Sequence, residues 1–439
     1  MSIDVYRTDI NKWGWRLAGA LFLTITCFAQ TDPGVRGGAA GAGGAVSGLS
    51  GTLTAVFNQG SSNFQEVEDV GDGLGPRFNS NSCVSCHSQP AVGGTTPANN
   101  PQVQFVNSQN TLPSFLSATG PAREARFVKN PDGTPDGGVH ALFTIGGRAD
   151  TPTGCNLTQP NFAAQVAANN IIFRIPTPTF GLGLVEAIQD TVLVQNLAAN
   201  GGASLGITGR FNRNGNDGTI ARFGWKAQNK SLLLFAGEAY NVEMGISNLL
   251  FNTERDETPN CSPTAPPNSI FNVGGFVDQA VFDDITNFAN FMRLLAPPAP
   301  IPDTNQIVQG RNQFVNVGCG RCHTPTLTTG ASPVPSLANQ TIHPYSDFAL
   351  HHMGPGLADG VSQGVAGGDE FRSAPLWGVG QRIFFLHDGR TKDLLQVIRD
   401  HSSNAGGGFP ASEANAVVAA FLRLSVSDQQ AVLVFLRSL

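Results

Sequence analysis

A mainly α molecule of two tandem domains with long loops is what the sequence predicts, on three observations. The pentapeptide Cys-x-x-Cys-His occurs twice, at Cys83–His87 and Cys319–His323. Similar landmarks surround each copy, and each half of the chain closes on an apolar stripe with helical spacing.

Each pentapeptide offers two thiols about one helical turn apart, able to form thioethers with the vinyl groups of a haem, and a histidine placed at once to ligate the iron. Two covalently bound haems of the c type are therefore expected, one on Cys83, Cys86 and His87 and the other on Cys319, Cys322 and His323. Structural zinc is the alternative, although paired zinc sites ordinarily have further Cys or His ligands close by.

The amino terminus agrees with haem attachment outside the cytoplasm. Arg7, Lys12 and Arg16 precede the apolar run from Leu17 to Phe28, which is too short to span a bilayer, so residues 1–29 read as a signal peptide cut after Ala29. Cys27 follows Thr26, a poor lipoprotein signal. A periplasmic mature protein without a membrane span is expected. Once Cys27 and the pentapeptide thiols are set aside, Cys155 and Cys261 remain. An oxidising compartment favours a disulfide between them, with two unrelated buried thiols as the alternative.

About 410 residues remain after that cut, enough for two domains. With 52 Gly, 28 Pro and 13% charged residues, much of the chain must be loop. A net charge of -6 and the lack of a basic run argue against nucleic acid or a membrane surface as partner. Residues 30–50, rich in Gly and Ala, read as a flexible leader. The run from Ala296 to Pro302 cannot continue a helix and divides the rest into 51–295 and 296–439.

The halves look duplicated. Phe57, Gly60 and Phe64 precede the first pentapeptide; Gly310 and Phe314 precede the second. Phe173-Arg174-Ile175-Pro176 and Phe371-Arg372-Ser373-Ala374-Pro375 follow. The closing stripes are Val281, Ile285, Phe288, Met292 and Leu295, then Val432, Phe435, Leu436 and Leu439 behind a capping box from Ser427 to Gln430. Such closing helices are what a cytochrome c domain packs against its haem helix, so each half is expected to be a cytochrome c-like domain binding one covalent haem.

With Phe385-Leu386-His387-Asp388-Gly389-Arg390, Val242-Glu243-Met244-Gly245, Arg222 to Gln228 and His352-Met353-Gly354-Pro355-Gly356, the chain resembles the bacterial di-haem cytochrome c peroxidase superfamily. It is closest in pattern to the di-haem oxidoreductase branch, also called thiol oxidoreductase-like. The resemblance runs from about residue 50 to the end and lies in the motifs. In those peroxidases a methionine fourteen residues beyond the His-Asp-Gly histidine is the sixth ligand of the electron-entry haem; here that count from His387 lands on His401. The resemblance thus implies His323/His401 ligation, with Met353 as the competitor. Aligning the halves puts Trp225 on His387 and Ala239 on His401. Alanine cannot bind iron, so the His87 haem is expected to have an open sixth site. No histidine occurs between 88 and 139 to occupy its distal side, and His140 reads as structural.

The resemblance also assigns catalytic candidates. Trp225 matches the tryptophan between the two haems, a path for electron tunnelling, although the usual Trp-Asp-Gly-Arg context is absent. Glu243 matches the glutamate that moves a proton between the oxygens of peroxide. Glu186 is a second candidate; for either carboxylate a solvent-facing helix position is the alternative. His343, His351, His352, Arg372 and Arg390 are expected to serve haem propionates or packing. Calcium between the domains is implied by the superfamily, without ligands assigned here. The expected activity is reduction of hydrogen peroxide, with a small redox protein as electron donor. The alternatives are a di-haem electron carrier without catalysis, and a di-haem oxidase of an organic or protein substrate.

Overall fold

The computed structural model describes residues 30–262, 264–269 and 283–439. The expected signal peptide, Cys27 and Val281 lie outside them. Helices dominate the described residues, and the strands, two to four residues long, pair only as two-stranded antiparallel ladders.

The first half opens on helix α1 (Gly51–Phe64), capped by Ser50, whose hydroxyl accepts from the Leu53 amide at 3.3 Å. Strand β1 (Arg77–Phe78) leads into α2 (Cys83–Cys86), the first pentapeptide. Strand β2 (Glu124–Phe127) follows, then β3 (Phe143–Thr144), which pairs with β1. After helix α3 (Phe162–Ala167), β4 (Ile171–Arg174) pairs with β2 and sets Glu124 opposite Arg174. Helices α4 (Leu182–Glu186), α5 (Asp190–Ala199), α6 (Leu232–Met244) and α7 (Asp284–Leu294) complete this half.

The second half repeats the plan with shorter loops. Helix α8 (Asn305–Asn316) precedes the second pentapeptide, which makes a 3-10 turn at Cys319–Arg321. Strands β5 (Leu327–Thr328) and β6 (Thr341–Ile342) pair, as do β7 (Leu350–His352) and β8 (Glu370–Arg372). Helices α9 (Leu394–Asp400), α10 (Asn415–Leu422) and α11 (Val426–Ser438) end the chain.

The duplicated glycines and phenylalanines have a geometric reason. Helix α1 crosses α7, and α8 crosses α11, so closely that a Cβ on Gly60 would stand 2.5 Å from the Asn287 carbonyl oxygen, and one on Gly310 1.9 Å from that of Ala431. Only glycine lets the backbones approach this far. One turn later, Phe64 meets the ring of His87 edge-on at 5.9 Å between centroids, and Phe314 meets that of His323 at 6.4 Å. Ile285, Phe288, Met292 and Leu295 are buried on α7, and Val432, Phe435, Leu436 and Leu439 on α11 and its end. The α11 cap is Ser425 rather than Ser427: its hydroxyl accepts from the Asp428 amide at 3.1 Å, leaving Ser427 inside the helix.

Residues 30–47, expected to be flexible, instead form a strap bonded to both halves. Gly44 and Gly41 accept from the Ala296 and Ala299 amides, each at 2.9 Å, and Val46 donates to Leu294 at 2.8 Å. Asp32 accepts two bonds from the buried Arg437 guanidinium, at 2.7 and 2.6 Å, and one from the Leu394 amide at 2.8 Å. A buried triad also joins the halves: Asp359 meets Arg174 at 2.6 Å and Lys226 at 3.0 Å. Cys155 and Cys261 form the expected disulfide. No described helix is long and apolar enough to cross a membrane.

Candidate functional site

Two mostly apolar cavities contain the pentapeptides. The first, of about 170 Å³, is lined by Cys83, Cys86 and His87 and roofed by helix α6, which contributes Ala239 and Glu243. The second, of about 210 Å³, is lined by Cys319, Cys322, His323 and, at the end of α9, His401. Trp225 lines both.

The imidazoles share one arrangement. His87 Nδ1 donates to the Gly94 carbonyl at 2.9 Å, His323 Nδ1 to that of Tyr345 at 2.9 Å, and His401 Nδ1 to that of Val397 at 2.7 Å. A backbone acceptor on Nδ1 fixes the tautomer and leaves the Nε2 lone pair free, which is how metal-bound histidines are held. Burial pushes His87 and His323 down to about 4, and lowers His401, so all three rings are neutral donors. His401 is near enough to His323 to disfavour a charge on it. Met353, the competing ligand, also lines the second cavity. His87 is the one histidine on the first, where Ala239 holds the helix position that His401 holds on the second.

Above the first cavity, Glu243 does not act alone. Its carboxyl accepts from Asn79 Nδ2 at 2.7 Å and hydrogen-bonds to Glu124, which sequence reasoning missed. Burial first, and then the charge of Glu124, push Glu243 well above the usual carboxylate range. Burial also acts upward on Glu124, but the charges of Arg126, at 2.6 Å, and Arg174 outweigh it and hold Glu124 low. The hydrogen bond between the two carboxyls needs one shared proton, for which Glu243 is the more readily protonated partner. Only the pairing of β2 with β4 brings Glu124 here, and no local spacing signals that contact.

Trp225 donates its indole N–H to the Ile175 carbonyl at 2.9 Å, and the Ile175 amide donates to the His387 carbonyl at 2.7 Å. The indole meets His387 edge-on at 6.4 Å, and His387 stacks on Phe371 at 4.4 Å. Glu186 lines neither cavity: it accepts from the Leu232 amide at 2.9 Å, holding the first turn of α6, and pairs with Arg293 at 2.7 Å. His140 likewise stays outside, stacked on Phe127 and held by Asp136 at 2.8 Å.

The model of one protein family, described as "Di-haem oxidoreductase, putative peroxidase", matches residues 123–439. The chain belongs to that family. The match takes in the second pentapeptide and begins after the first. No curated protein matches this di-haem oxidoreductase. Among solved structures, a "Crystal structure of a MauG-like protein associated with microbial copper homeostasis" matches at 16% identity and a TM-score of 0.25, over 36% of this chain and 52% of that one. The chain thus spans about half the length of that solved relative.

The family implies two haem cofactors, and the cavities of this di-haem oxidoreductase suit them. Each offers free thiols, an imidazole with its outer nitrogen fixed, and an apolar wall. Burial keeps the thiols protonated, pushing Cys86 and Cys319 up to about 12. Among the described residues no three His, Cys, Asp or Glu side chains converge as a metal-ion cage, so neither the zinc alternative nor calcium gains a ligand set.

Of the side chains expected to serve propionates or packing, Arg372 and His351 line the second cavity, and each of the five has a partner within the protein. Arg390 pairs with Asp388, and Arg372 donates to the Gly224 and Ser373 carbonyls. His351 sits between Asp347 and Glu413, His352 pairs with Asp369, and His343 bonds to Thr326.

Proposed function

We propose that this di-haem oxidoreductase is a periplasmic enzyme that reduces hydrogen peroxide, with Cys83, Cys86 and His87 holding the haem where peroxide reacts and Cys319, Cys322, His323 and His401 holding the haem that receives electrons from a small redox protein. Each half, 51–295 and 296–439, is then one cytochrome c-like domain. The observation that carries the reading is the asymmetry of the cavities: His401 lines one of them with His323, while the other has Ala239 at the matching position beside a carboxyl pair. The apolar leader of residues 1–29 and the Cys155–Cys261 disulfide support export to an oxidising compartment.

The haems, when bound, supply the two electrons that convert peroxide, with two protons, into two waters. Glu243 and Glu124 hold one proton between them, so the pair both accepts the proton of one peroxide oxygen and donates to the other. Apolar walls around His87 limit access of bulk water. Trp225, fixed by the Ile175 carbonyl and touching both cavities, gives electrons a short path between them. Met244 and Met292 also line the first cavity and favour the rival reading, an electron carrier in which a thioether fills the sixth position.

Low-temperature paramagnetic resonance of the oxidised holoprotein is expected to give one high-spin and one low-spin ferric signal; two low-spin signals would sink the enzyme in favour of the carrier. Glu243→Gln is expected to lower peroxide turnover about a hundred- to ten-thousandfold, with both haems retained.

A further inference from the structure

Two cations stand against the ring of Phe385 at the rim of the second cavity, and among the described residues only one of them has a counter-ion. Arg437, 5.1 Å from the ring centroid, donates to both oxygens of Asp32 and uses Nη1 on the Gly380 and Arg382 carbonyls. Arg382, 5.9 Å from the same ring and 6% exposed, lines the cavity with Nε and Nη2 buried and without hydrogen-bond partners. A buried guanidinium with unmade bonds is costly, because it has lost its water and gained no charge in return. The first cavity repeats the feature: Arg123, over Phe173 at 5.1 Å, lines it with Nε buried and unpartnered, while its neighbours Arg126 and Arg174 have Glu124 and Asp359.

We propose that Arg382 is a carboxylate-binding residue, whose partner is a propionate of the haem held in the second cavity, and that Arg123 does the same in the first. The inference rests on the haem reading above. A planar fork of donors suits a carboxylate in two-point contact, and both open nitrogens of Arg382 lie on one edge of its guanidinium. The fixed positive charge also favours the reduced haem, which carries one positive charge fewer than the oxidised form. Arg382 thereby raises the potential of the second haem, and Arg123 that of the first.

The test uses purified holoprotein. Haem content by pyridine haemochrome reads the underlying assignment: fewer than two covalent haems in the wild type overturns that assignment, independently of Arg382. With two haems present, Arg382→Met is expected to lower the midpoint potential of the low-spin haem, leave the other unchanged, and shift one propionate bending mode in the resonance Raman spectrum. Unchanged potential and unchanged Raman modes would overturn the proposal. If Arg382→Met gives too little holoprotein, Arg382→Lys keeps the charge but loses the fork. A shifted propionate mode there supports the contact, and an unshifted one rejects it.

Discussion

Glu124 and Glu243 are chemically identical side chains separated in role by their neighbours. Arg126 and Arg174 hold Glu124 below the usual carboxylate range; burial and the charge of Glu124 push Glu243 above it. Replacing Glu124 by Gln removes the charge, so Glu243 should lose its proton at lower pH. The alkaline limb of peroxide turnover is then expected to move down in pH, with a fall of about tenfold or more at neutral pH, measured as rate against pH beside the wild type. Glu243 was legible because a short motif carries it. Glu124 was not: it lies 119 positions away, on a strand whose register sets it opposite Arg174, and no motif in the sequence around it marks it. Glu186 misled for the converse reason, since a carboxylate ending a short helix looks alike whether it faces a cavity or, as here, the amide of Leu232.

The helix pairs were the most legible elements, because their demands are local. The glycine one helical turn before a phenylalanine, followed by the pentapeptide, marks both crossings. Gly310→Ala would press a methyl against the Ala431 carbonyl oxygen, a backbone atom that cannot swing aside. A loss of about 1–3 kcal/mol is expected, read as a lowered Tm by calorimetry. Gly51→Ala, in a first turn with open space around the added carbon, is the control and should be neutral or slightly stabilising. The cap of α11 was misassigned by two residues because Ser425 and Ser427 both precede an acid or amide at capping distance. Ser425 prevails where its hydroxyl also donates to Asp428 at 2.7 Å.

Across the whole molecule, the strap carries a charge that the second half needs. Asp32 is pushed up by burial, but Arg437 and the amides of Leu394 and Gly34 bring it below the ordinary value of 3.8. Its folded pKa is thus depressed, so its contribution is present above about pH 4 and is lost as pH falls further. Asp32→Asn leaves Arg437 buried without an anion and is expected to cost about 3–5 kcal/mol at neutral pH. The variant should also lose part of the wild type's dependence of Tm on pH below about 4. Composition alone made this segment a flexible leader, since glycine and alanine carry no signal of what the backbone will bond to.

Asp32 and Arg437 lie 405 positions apart, which sets an order of events in time. The carboxylate of Asp32 waits for helix α11. Gln30 and Thr31 likewise bond to Gln429 and Gln430 of helix α11, so this end of the strap has neither its cation nor these partners until that helix is in place. Closing so long a loop adds only a slowly growing entropic cost, so the delay burdens the folding rate more than the final stability. Seating this end of the strap is therefore a step that needs both ends of the described chain brought together.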